Sequence, residues 1–129
     1  MIGYVGDIEK ITEQNNTFRT VVYTGKHAQL VVMSLQVGED IGSEVHEKVD
    51  QFFRIEVGTL KFVMNGEENV ATAGMAVIVP AGTTHNVINV GTEVAKLYTV
   101  YSPPNHPEGT VHTTKAEAIM EEEKKIGEF

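Results

Sequence analysis

Glu44 and His46 stand two residues apart, so on a β-strand their side chains share a face while Val45 points the other way. His85 follows Pro80-Ala81-Gly82, a turn that ends one strand and starts the next. Imidazole nitrogen and carboxylate oxygen are good ligands for Mn, Fe, Ni or Zn. One carboxylate with two histidines is also the composition of the facial triad of non-haem iron oxygenases. Gln51 can add a neutral carbonyl oxygen. Two histidines this far apart in sequence prove nothing by themselves, because a lone histidine in a strand is more often structural than ligating. The elements that carry these side chains decide whether they meet.

Those elements read as strands. Between residues 18 and 104, short β-branched and aromatic runs alternate with turns. The runs are Phe18–Thr24, Gln29–Gln36, Phe52–Val57, Leu60–Met64, Met75–Val79, His85–Val90 and Val94–Tyr101. Asn65-Gly66 is the strongest hairpin signal, since both residues tolerate the positive φ of a tight turn. Many short strands at this spacing predict an all-β sandwich or barrel. At the C-terminal end, Thr114-Lys115-Ala116-Glu117 is a capping box, and strong helix formers predict a surface helix over 115–128. Residues 6–17 are open between a turn and a short helix around Ile8 and Ile11. Of the 129 residues, 41% are hydrophobic and 22% charged, as expected of one globular domain spanning 1–129.

Two glycine-framed segments hold the donors. The first runs from Gly38 through Glu44, His46 and Gln51 to Gly58, and the second runs Gly74, Pro80, Gly82, His85, Asn89. This pattern resembles the two motifs of the cupin superfamily. The family's first motif runs from a glycine through His-x-His and a glutamate to a closing glycine, and Gly38 to Gly58 fits that frame without a gap. The second motif has every fixed position filled. The flanks Asn16-Thr17-Phe18-Arg19, Gln51-Phe52-Phe53-Arg54, Lys96 to Ser102-Pro103-Pro104 and Gly109 to Lys115 resemble small bacterial cupins likened to mannose-6-phosphate isomerase. The resemblance implies a double-stranded β-helix, or jelly-roll barrel, with its core over about 18–104. It also implies one divalent transition metal ion (Mn, Fe, Ni or Zn) held by Glu44, His46, Gln51 and His85. Glu44 replaces the family's first histidine and Gln51 its glutamate. The set therefore keeps one negative charge but moves it, and a bound dication retains a net charge of about +1, enough for a Lewis acid. Glutamine at the fourth position also occurs in cupins that isomerise unsaturated sugar acids.

The resemblance implies a metal-dependent, non-redox isomerase, epimerase or lyase acting on a sugar or small hydroxy acid, with Glu44, if it is not locked on the metal, or Tyr101 moving the proton. Alternatives are a non-haem metal oxygenase on Glu44, His46 and His85, and a non-enzymatic barrel that binds a small ligand. On the last strand Leu97, Thr99 and Tyr101 share one face and Lys96 and Tyr98 the other. Lysine prefers water, so Tyr101 is expected inside with Val31, Met33, Phe53 and Ile55, and Arg54 and Glu56 outside. The inferred pocket is mostly apolar. His106 and His112, in a Pro-rich segment after the last strand, are expected in solvent, and His27 is given no role. Glu117, Glu121, Glu122, Glu123 and Glu128 read as a solvated helix face.

A net charge of −8 opposes nucleic acid and anionic membranes as partners. The absence of cysteine excludes disulfides and thiolate chemistry. With no secretory leader and no apolar run of membrane length, a cytoplasmic protein is expected. Strand 29–36 is apolar on both faces, which predicts a homodimer through the outer one.

Overall fold

In the computed structural model the backbone is described for residues 2–127 and the side chains as far as Glu122. Asp7 caps a short helix, α1 (Ile8–Gln14), by accepting from the Lys10 amide at 3.1 Å. The strands follow as β1 (Arg19–Thr24), β2 (Gln29–Leu35), β3 (Asp50–Val57), β4 (Thr59–Met64), β5 (Glu67–Thr72), β6 (Ala76–Val79), β7 (His85–Asn89), β8 (Ala95–Ser102) and β9 (Val111–His112). A helix, α2 (Lys115–Gly127), ends the described chain. Glu128, expected at the end of that helix, lies outside the described residues, as does the Glu123 side chain.

Among the described residues the strands form two antiparallel sheets, ordered β6-β3-β8-β2-β1-β9 and β5-β4-β7. Their inner faces enclose one core, where Phe53 and Phe62 meet edge to face at 5.1 Å. This is the double-stranded β-helix with a C-terminal helix that the strand pattern and motifs predict. The Asn65-Gly66 turn takes the positive φ values expected, 49° and 83°.

Cross-strand register sets what faces inward. Three buried rows cross the larger sheet: Val79-Gln51-Tyr101-Gln29, then Phe53-Thr99-Val31-Val21, then Ile55-Leu97-Met33-Arg19-His112. Tyr101, Val31, Met33, Phe53 and Ile55 thus point inward as predicted, while Arg54 faces out and meets Glu56 at 3.3 Å. The rows also correct the expectation of a mostly apolar interior, since Arg19, Gln29, Thr99 and His112 are buried within them.

Two strands escape the sequence pattern. In β5 only Ala71 is buried, so Glu67, Glu68 and Asn69 read as loop. The two-residue β9 is too short to carry an alternation. The outer face of β2 is also explained differently. Helix α1 packs on β2, β3 and β8, and Val32 and Ser34 are buried within one chain. The apolar outer face of β2 therefore already has a cover. No helix among the described residues is long and apolar enough to cross a membrane.

Candidate metal centre

Backbone pairing brings the donors together. Glu44 and His85 exchange two hydrogen bonds, each amide donating to the other's carbonyl at 2.8 Å. Directly opposed residues of an antiparallel pair project to the same face, so the carboxylate and the imidazole emerge side by side. His46, two residues on from Glu44, shares that face. Its carbonyl accepts from the Gly82 amide at 2.9 Å, which ties the Glu44–His46 segment to the turn before His85. Gly82 has a φ of +80°, a conformation that L side chains rarely adopt. Gln51 arrives from β3, paired with Tyr101 of β8.

Ligand atoms of Glu44, His46 and His85 all lie within 4.8 Å of one another, and the two imidazole centroids are 5.5 Å apart. His85 Nδ1 lies 3.0 Å from the Thr83 carbonyl. A carbonyl only accepts, so Nδ1 carries the proton and Nε2 keeps its lone pair. Gln51 Nε2 donates to Thr99 Oγ1 at 3.0 Å, which leaves Oε1 as the free acceptor. His46 Nε2 lies 3.0 Å from Glu44 Oε2 without the alignment of a hydrogen bond.

His46 Nε2, His85 Nε2 and Gln51 Oε1 are therefore all buried and without a hydrogen-bond partner. Leaving a buried acceptor unmade costs about 1–3 kcal/mol. Two such acceptors, on His85 and Gln51, and the unbonded His46 Nε2 beside the Glu44 carboxylate fit a divalent cation, and the imidazole and oxygen donors suit a first-row transition metal. Glu44, His46 and His85 form a group that could bind a metal.

Around this centre, Tyr101 is 2% exposed and its ring meets His46 edge to face at 6.0 Å. Burial pushes its hydroxyl up to about 12; Glu44 adds to the shift and Arg19 opposes it. The hydroxyl is therefore protonated near neutral pH. Its oxygen lies 3.2 Å from His106 Nε2.

The expectation of solvent-exposed histidines after the last strand is overturned for both. His106 folds back over the barrel because Gln29 holds its loop. Gln29 Oε1 accepts from the Asn105 and His106 amides at 3.1 and 3.0 Å, and its Nε2 donates to the His106 carbonyl at 2.7 Å. His112 is buried at 5% exposure, paired with Arg19 across β1 and β9 and bonded to Glu121 of α2. Glu121 is thus not simply part of a solvated face. His27 is exposed. Sequence reasoning missed Arg19 and Gln29; the signal was their phase, since Arg19 alternates with Val21, and Gln29 with Val31, on faces that turn inward.

Known proteins resemble this chain in sequence and fold. The protein YrkC of Bacillus subtilis (strain 168) is 53% identical over 127 residues, covering 93% of this chain and 68% of its own length. The crystal structure of BH2720 from Bacillus halodurans superposes with a TM-score of 0.89 at 45% identity, covering 91% of this chain and 93% of that one. A double-stranded β-helix protein from Klebsiella pneumoniae superposes at 0.69 with 22% identity over 85% of this chain and 97% of its own, a likeness of fold alone. The sequence profile of the cupin domain matches residues 31–101, a stretch that contains every donor described above. Barrel, glycine-framed motifs, profile and relatives agree, and the chain belongs to the cupin family.

Proposed function

We propose that this cupin is a metal-dependent enzyme, a non-redox isomerase, epimerase or lyase acting on a sugar or small hydroxy acid, with Glu44, His46, Gln51 and His85 as metal ligands. The reading is carried by three buried side-chain atoms without a hydrogen bond, His46 Nε2, Gln51 Oε1 and His85 Nε2, gathered beside the Glu44 carboxylate. The resemblance of the motifs and flanks to mannose-6-phosphate isomerase-like cupins supports the choice of sugar-type chemistry. Glu44, His46, Gln51 and His85 would hold a divalent ion that would supply Lewis acidity toward a substrate carbonyl and its adjacent C–H or O–H.

The chain's own residues supply the rest. Thr83 and Thr99 hold His85 and Gln51 with their acceptors free. Glu44 is a carboxylate on the more open side of the centre, placed to take a proton when it is not bound to the metal. Tyr101, protonated because it is buried, is placed to donate a hydrogen bond or proton to a substrate oxygen. The loop pinned by Gln29 sets His106 against that hydroxyl.

The first test is elemental analysis of purified protein with His46→Ala and His85→Ala variants. About one equivalent of a transition metal in the parent, lost in both variants, supports the centre. No uptake after reloading with Mn, Ni, Zn or Fe sinks it and favours the ligand-binding barrel. Turnover on a panel of sugars, sugar phosphates and hydroxy acids then separates enzyme from binder. A specific observation keeps an oxygenase as the second reading, because Glu44, His46 and His85 form a two-histidine, one-carboxylate set. Iron uptake with substrate-dependent oxygen consumption would select it. A homodimer is also proposed; a monomeric sedimentation profile overturns that.

A further inference from the structure

The barrel interior holds a charged side chain that the metal centre does not use. Arg19 is 4% exposed and sits opposite Met33 on one side and His112 on the other. A guanidinium does not give up its proton in proteins, so this is a buried positive charge. Such charges are ordinarily paired with a carboxylate. Among the described residues no carboxylate lies within ion-pair distance of Arg19. Its Cζ lies 5.2 Å from the Phe18 ring centroid, Nη1 is 3.3 Å from His112 Nδ1, and Nε is buried with no partner.

The neighbours orient the guanidinium without neutralising it. His112 Nε2 bonds to the Glu121 carboxylate, which only accepts, so Nε2 carries the proton. Nδ1 is then a lone pair facing Nη1, and the chain Glu121–His112–Arg19 fixes where the fork lies. Arg19 and Glu44 line one cleft with Ile41 and Lys115, and both charges act on the Tyr101 hydroxyl. Through Glu44 and Tyr101, whose ring meets His46, the buried cation borders the candidate metal centre.

We propose that Arg19 is the anion anchor of this site and that the substrate is a small organic acid. Its carboxylate lies on the Arg19 fork while a neighbouring oxygen reaches the metal centre. The inference rests on the metal-centre reading and gives it a substrate class. The planar fork matches a carboxylate in two parallel hydrogen bonds. A bound carboxylate also supplies the counter-charge that the described residues withhold. In a chain of net charge −8, a local cation is needed to draw an anion inside.

The test is calorimetric titration of glycolate, and separately of inorganic phosphate, into Mn-loaded protein, comparing the parent with Arg19→Met and Arg19→Lys. Glycolate affinity is expected to fall about tenfold or more in Arg19→Met and about threefold in Arg19→Lys, with metal affinity unchanged. Equal glycolate affinity in parent and Arg19→Met, or none in the parent, overturns the anchor. Phosphate binding more tightly than glycolate, with the same dependence on Arg19, overturns the carboxylate. If Arg19→Met does not fold, Arg19→Lys decides, because it keeps the charge and loses the fork; undiminished affinity there overturns the proposal. If the parent takes up no metal, the same titration is read on the metal-free protein. Glycolate binding that depends on Arg19 then supports the anchor while the metal centre fails, and binding that is absent or independent of Arg19 sinks both.

Discussion

Two of the candidate ligands, His85 and Gln51, have one polar atom engaged and one left over. Thr83 takes the Nδ1 proton of His85, and Thr99 takes the Nε2 proton of Gln51. These bonds select the tautomer and the amide orientation that present acceptors to the centre. Thr99→Val removes the partner of Gln51 Nε2 and frees the amide to turn. Metal affinity is expected to fall about 10- to 100-fold, and stability by about 1–3 kcal/mol. Metal titration and denaturant melts of the same variant check the two figures. Gln51→Glu restores a second carboxylate with Thr99 as donor, and tighter metal binding than the parent is expected in the same titration. Weaker binding would mean that the amide oxygen is not a ligand.

Helix α2 closes one side of the barrel, and its dock is electrostatic as well as apolar. The Thr114 hydroxyl accepts from the Glu117 amide at 3.2 Å, and Glu117 reaches back to the Thr113 amide, one residue before the cap position the capping box predicts. Ala118 is buried, and Lys115 pairs with Asp40. Hydrogen bonds from Asn86 and Lys115 hold the Asp40 carboxyl below its ordinary value. A depressed carboxyl stabilises the folded form above its unfolded pKa of about 3.9, and the contribution disappears as pH falls through the folded value. Acidification below about pH 4 is therefore expected to speed hydrogen exchange in 115–122 before the barrel strands. Asp40→Asn is expected to show the faster exchange already at neutral pH. At the β3–β4 junction Gly58 has a φ of +99°, and an added Cβ there meets Ala95 Cα at 3.0 Å. Gly58→Ala is expected to destabilise by about 1–3 kcal/mol in denaturant melts.

At the scale of the molecule, the candidate centre draws ligands from the Glu44–His46 segment, β3 and β7, which lie in or against both sheets. A metal there ties the sheets together and binds the folded form far better than the unfolded one. The melting temperature is expected to rise with added metal in the parent and to stay constant in His85→Ala. A thermal scan with and without a chelator checks this, and equal shifts in both proteins would place the metal elsewhere.

The amino-acid order alone determined the local features. Seven strand runs, the Asn65-Gly66 turn, the capped C-terminal helix and both glycine-framed motifs were legible, because period-two alternation, turn chemistry and helix capping act over a few residues. The inward phase of Tyr101, Phe53 and Ile55 was legible for the same reason. The edge strand β5 was not, since a strand with one buried residue carries no alternation. Tertiary structure decided what depends on pairing between distant segments. The Glu44–His85 bridge aligned two donors, and the β1–β9 pairing buried His112 beside Arg19. Gln29 turned the His106 loop over the mouth, and α1 covered the outer face of β2. A side chain's charge and face can be read locally, whereas its partner is fixed only when the sheets close around it.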